Sequence, residues 1–199
     1  MKAVISEVSP EFLDQRRRTG RDRWDEMWEG VLHMPPAPNR DHQGFQFELE
    51  AWLRTHWARP QGNEVYHEIN VTPPGGWPND YRIPDLVLLR PDRFEIDRNE
   101  YFEGAPTVVV EIRSPGDESY EKMPFYAELG VPEVWIIDRS TKAPEVYHLR
   151  GGEYQQQTPD GDGWLHSAAT GVQLRPEAGG KIALRIVGND DSRRLLPER

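Results

Sequence analysis

Three residues of this 199-residue chain are hard to explain by packing alone: Asp85, Glu111 and Lys122. Glu111 interrupts the run Thr107-Val-Val-Val-Glu-Ile-Arg113, whose β-branched residues give it the pattern of a strand buried on both faces. Asp85 stands at the head of a second short apolar run, Ile83-Pro-Asp-Leu-Val-Leu-Leu89. A charge in such a setting is costly unless it is paired or coordinates a metal. If the two runs are neighbouring strands, two carboxylates converge on one point of the sheet. With a backbone carbonyl near Ile112, that oxygen set suits a hard cation, Mg²⁺ with Mn²⁺ as its substitute. An ammonium nearby, that of Lys122, would orient or deprotonate a water while the metal polarises a phosphoryl oxygen, the chemistry of phosphodiester hydrolysis. The bland reading is a turn or cap Asp after Pro84, and a strand Glu paired with Arg113, which shares its face two positions on. Spacing alone leaves both open.

The elements that must position these groups read as a mixed α/β domain. Ser9-Pro10-Glu11 starts a helix that Gly20 ends, and a hairpin turns at Glu29-Gly30. A second helix covers 41–57, with apolar residues at 45, 49, 52 and 53, and 65–71 alternates as a half-buried strand. The breaker-rich loop 73–80 delivers the chain to Pro84-Asp85, and 91–105 is a polar connection. A helix around 125–129 stops at Gly130; Pro124 sets whether Lys122 lies in its first turn or in the approach to it. Strands follow at 133–138 and 145–149, then short strands between turns. No linker divides residues 1–190, and 191–199 read as a charged, mobile tail.

Composition narrows the classes. The absence of cysteine rules out a disulfide framework or thiolate metal site, and with no secretory leader pattern at the start the expected location is the cytoplasm. No segment is apolar for long enough to span a membrane. The net charge of −10 argues against tight non-specific nucleic-acid binding, although it says little about a local cleft. Six histidines show no zinc spacing, since Val71 stands where His67-Glu68 would need its second histidine. For His42 a helix-start or packing role is favoured over a place at the site, and Glu48 is a weak candidate for an extra ligand.

The ordered set Ile83-Pro84-Asp85, Val109-Val-Glu-Ile-Arg-Ser-Pro115, Glu121-Lys122 and Phe125-Tyr-Ala-Glu-Leu-Gly-Val-Pro-Glu-Val-Trp-Ile-Ile-Asp138 resembles the Uma2-like family of the PD-(D/E)XK nuclease superfamily. The likeness runs from the N-terminal helix to the late 180s. It implies a restriction-endonuclease-like core, a central mixed sheet flanked by helices, with an extra N-terminal helix and hairpin and short C-terminal strands. It also implies a metal-dependent endonuclease acting on nucleic acid, DNA ahead of RNA, and a homodimer. Asp85 and Glu111 would be the metal carboxylates, with the Ile112 carbonyl as a further ligand. The lysine that the wider superfamily carries on the strand would be Lys122 on the next helix. Arg113 occupies the older lysine position; always protonated, it is assigned phosphate-charge support, with an ion pair to Glu111 as the structural alternative. The competing function is a catalytically weak or inactive binding module for nucleic acid or protein on the same fold, which the acidic balance and Arg113 favour.

Overall fold

The computed structural model describes residues 3–198; Met1, Lys2 and Arg199, the end of the expected tail, lie outside the described residues. An N-terminal antiparallel sheet joins β1 (Ala3–Ile5), β2 (Glu26–Trp28) and β3 (Val31–Met34), with helix α1 (Pro10–Thr19) between its first two strands. The Ser9 hydroxyl accepts from the Phe12 amide at 3.2 Å and Gly20, at φ +64°, closes α1, so both expected helix signals hold. The β2–β3 turn is Glu29-Gly30, both at positive φ, as the hairpin reading requires.

Helix α2 (Arg40–Leu53) is capped by the Asn39 side chain, which accepts from the His42 amide at 3.0 Å and so fixes His42 in the first turn. The helix ends four residues earlier than expected and passes through a π-helical stretch, Arg54–Ala58, into a short turn, α3 (Arg59–Gln61). The single strand expected over 65–71 is two, β4 (Glu64–His67) and β5 (Asn70–Thr72), because Glu68 adopts φ +50° and breaks the extended run.

The site is carried by a six-stranded mixed sheet. Its remaining strands are β6 (Leu86–Leu89), β8 (Val108–Arg113), β9 (Glu133–Asp138), β10 (Pro144–Arg150) and β11 (Glu153–Gln156), in the order β11-β10-β9-β8-β6-β4. β7 (Tyr101–Glu103) pairs in parallel with β5 outside this sheet. Only β8 and β9 run parallel within it. β8 is buried on both faces, which explains its unbroken β-branched run. Val108, Val110 and Ile112 pack with Phe45, Leu49 and Leu53 of α2, while Val109 packs with Phe125 and Tyr126 of α4 (Met123–Leu129).

The C-terminal strands β12 (Leu165–His166), β13 (Val172–Glu177), β14 (Lys181–Ile186) and β15 (Asn189–Leu196) form an antiparallel sheet whose Leu174, Leu184 and Leu196 join the α2-side core. The expected mobile tail is therefore corrected over residues 191–196. They continue β15 beside β14, Ser192 and Leu196 are buried, and the Trp52 indole donates to the Ser192 carbonyl at 2.8 Å. No helix of the described residues is long and apolar enough to cross a membrane.

Candidate active site

β6 and β8 pair with Leu86 across from Val110, so one further step along this register sets Asp85 across from Glu111. The Ile112 amide donates to Asp85 Oδ2 at 2.5 Å, and the Gln46 side-chain amide donates to the Asp85 carbonyl at 2.9 Å. The acid at the strand head is thus tied to β8 and α2 through its own peptide and carboxylate. Asp85, Glu111 and Ile112 all line one cavity of about 440 Å³, which opens between the N-terminal hairpin, α2 and the loop after β8.

Glu111 is 3% exposed. The Tyr126 hydroxyl donates to its Oε1 at 2.6 Å, and Lys122 Nζ lies 3.2 Å from Oε1 and 3.3 Å from Oε2. α4 begins at Met123 with Pro124 in its first turn, leaving Lys122 just before the helix. The two readings of Pro124 are reconciled by this placement. Lys122 precedes the helix, yet its carbonyl accepts from the Tyr126 amide at 3.2 Å, so Lys122 and Tyr126 reach Glu111 from one turn.

A third carboxylate completes the cluster. Glu26, on β2 and 3% exposed, sits 2.8 Å from Lys122 Nζ. It also accepts from the Ile83 amide at 2.9 Å and from the Trp28 indole at 2.7 Å. Arg82, stacked between Trp28 (4.3 Å) and Phe125 (4.1 Å), fastens the hairpin to α4 beside it. Glu26 was missed in sequence, although it shows the same oddity that singled out Glu111, a carboxylate in a strand of bulky apolar residues.

Three carboxylates around one ammonium leave a shortage of positive charge. Burial is the chief cause that raises the pKa of Glu111, to about 8; Lys122 works against it, Asp85 and Glu26 reinforce it, and the Tyr126 hydrogen bond opposes it. Burial works against the charge on Lys122, but Glu111 and then Glu26 hold its pKa above the usual lysine value. Lys122 keeps its proton, and Glu111 is the acid that tends to take one. At Asp85, His42 Nε2 stands 3.2 Å from Oδ1. Burial opposes protonation of this imidazole, yet the hydrogen bond and charge of Asp85, with the Ile112 backbone, raise its pKa. His42 is thus the buried helix-start residue favoured from sequence and also borders the site.

Arg113 goes elsewhere. Its guanidinium donates to Asp138 Oδ2 at 2.7 Å and lies over the Tyr120 ring, because the β8–β9 register sets Arg113 directly across from Asp138. Its carboxylate partner is thus Asp138 and not Glu111, and Arg113 is not part of the cavity wall. Glu48 is not brought to the site either; it accepts from the Glu198 amide at 2.8 Å. The cavity instead receives Arg139, the first residue of the turn after β9, which nothing in its local sequence marks.

A divalent cation fits the donor chemistry in a partial way. Among the described residues no three His, Cys, Asp or Glu side chains form a group that could hold a metal ion by themselves. Asp85 and Glu111, with the Ile112 carbonyl as the ligand that the resemblance implies, would give an incomplete, all-oxygen set. Mg²⁺, which keeps several of its waters, accepts such a set.

The sequence profile of the Uma2 family, described as "putative restriction endonuclease", matches residues 10–177. Among solved structures, one titled a putative nuclease belonging to DUF820, from Anabaena variabilis ATCC 29413, is similar in fold. The TM-score is 0.55 at 21% identity, over 68% of this chain and 78% of that one. No curated protein matches the chain.

Proposed function

The chain belongs to the Uma2 family, and from that premise we propose that it is a divalent-metal-dependent endonuclease that hydrolyses phosphodiester bonds in nucleic acid, DNA ahead of RNA. The observation that carries the reading is the convergence of Asp85 and Glu111 on one cavity wall, with the Lys122 ammonium against Glu111. Asp85, Glu111 and the Ile112 carbonyl would hold Mg²⁺ or Mn²⁺. When bound, such an ion supplies Lewis-acid polarisation of a phosphoryl oxygen and an acidified water.

The chain's own residues do the rest. Gln46 and the Ile112 amide lock Asp85 in orientation, so its carboxylate needs little reorganisation when substrate arrives. Tyr126 does the same for one oxygen of Glu111. Lys122, whose N–H donors go to Glu26, Glu111 and the Ile83 carbonyl at 3.2 Å, sets a fixed positive charge beside the attacking water and the charge developing on the phosphate. His42 stands on the other side of Asp85, within reach of a proton at the cavity wall.

The test is cleavage of single- and double-stranded DNA and RNA with Mg²⁺ or Mn²⁺ by the wild type, Asp85→Asn and Glu111→Gln. The expected result is metal-dependent cleavage that falls roughly 100- to 1,000-fold in each variant. Metal-dependent cleavage that survives both substitutions would contradict the mechanism.

A further inference from the structure

We propose that Arg139 is the phosphate-binding cation of the cavity, gripping a non-bridging oxygen of the substrate backbone beside the scissile bond. The inference rests on the phosphodiesterase reading and names a contact within that site. Six carboxylates line the cavity: Glu26, Glu68, Asp85, Glu111, Asp117 and Glu118. A polyanion entering such a space meets repulsion that some cation must offset. Lys122 is taken by Glu26 and Glu111, and His42 by Asp85. Arg139 is the one cation of the cavity wall that makes no ion pair with a carboxylate among the described residues.

Its placement follows from the strand register. Arg113 and Asp138 consume each other across β8 and β9, and the Arg139 amide donates to the Arg113 carbonyl at 2.9 Å. The chain then turns, with the Ser140 and Thr141 amides donating to Asp138 Oδ1. The Arg139 side chain is left at the cavity, where its one side-chain hydrogen bond among the described residues is from Nη1 to Ser114 Oγ at 3.2 Å. One weak neutral partner leaves most of a five-donor fork for a ligand, and a planar fork matches phosphate geometry. The role assigned to Arg113 in sequence, support of phosphate charge, thus passes to an arginine on the next strand's turn.

The experiment is binding of a short fluorescein-labelled DNA duplex in Ca²⁺, followed by anisotropy, beside calorimetric titration with inorganic phosphate. Wild type is compared with Arg139→Gln, Ser114→Ala and Arg90→Gln, the last a surface arginine at the far end of β6 that controls for lost net charge. Loss of a charge-assisted contact predicts duplex and phosphate binding weakened about 10- to 100-fold in Arg139→Gln. Ser114→Ala should lose under about fivefold, and Arg90→Gln should match wild type. Undiminished binding by Arg139→Gln overturns the proposal, as does an equal loss in Ser114→Ala, which would make Arg139 a loop brace. If wild type binds no duplex, the nucleic-acid reading fails by itself. Arg139-dependent phosphate binding would then still sustain the anion site, and no phosphate binding would overturn it.

Discussion

Glu111 and Glu133 are two glutamates on adjacent parallel strands, both removed from solvent at 3% and 1% exposure. Their sequence settings are alike, each an acid against a run of apolar residues, Glu111 within β8 and Glu133 at the head of β9. Their partners differ. Glu133 receives the Trp135 indole at 2.5 Å and the Ala169 amide at 3.3 Å, with His148 at 3.8 Å, and does not line the cavity that Glu111 lines. Neutral donors satisfy it in place, so it knits β9 to the C-terminal sheet. Glu111 lies three residues further along the paired strands, in a group with two other acids, one ammonium and a cavity. A buried acid met by fixed N–H donors is structural, whereas one left short of positive charge at a cavity wall is poised to bind a cation or a proton.

The contrast can be broken at several points. Lys122→Met strands Glu26 and Glu111 as uncompensated buried acids, and unfolding by denaturant should show a loss of about 3–5 kcal/mol. An unchanged midpoint would mean that the ammonium is not what offsets these acids. Glu111→Gln should leave stability near wild type while cleavage collapses, because it removes one member of an acid-rich cluster. Glu133→Gln should do the reverse. Its amide would set N–H against N–H at Trp135 or Ala169, costing about 1–3 kcal/mol, with cleavage retained. If the two variants lose activity equally, the distinction between the two glutamates fails.

The smallest effect belongs to Asp138. Its pKa is lowered, chiefly by the Thr141 amide, with Thr141's hydroxyl, Ser140 and Arg113 helping against burial. A depressed carboxylate contributes stability that is present above its unfolded pKa and lost as pH falls through the folded one. Wild type should therefore exceed Asp138→Asn by at most about 1 kcal/mol at neutral pH, a gap that closes in acid. A gap that widens in acid would contradict that sign.

How much of this was legible in sequence follows the range of the interactions. The run 107–113 announced a doubly buried strand, and Glu111 broke it within the same few residues. Pro84-Asp85 was equally local, and a one-step register argument joins the two acids. Lys122 stood out as a lysine shortly after the second acid, the family resemblance gave it its role, and Pro124 left its exact seat to the fold. Glu26 and Arg139 were not found, because their significance depends on partners at positions 122, 83 and 114 that only tertiary packing supplies. His42 is at the helix start as read; its place at the site emerges only with Asp85 beside it, for the same reason. The run 191–196, Asp-Ser-Arg-Arg-Leu-Leu, read as part of a tail because it is mostly charged. As a strand it buries only Ser192 and Leu196, too sparse a pattern to show a period of two.

The central claim is that Asp85 and Glu111 form one cation site, and calorimetric titration with Mn²⁺ tests it without reference to substrate. The account predicts one ion bound per chain by the wild type and its loss in both Asp85→Asn and Glu111→Gln, with Glu133→Gln binding as wild type. Mn²⁺ binding of equal stoichiometry and affinity in all four proteins would contradict it.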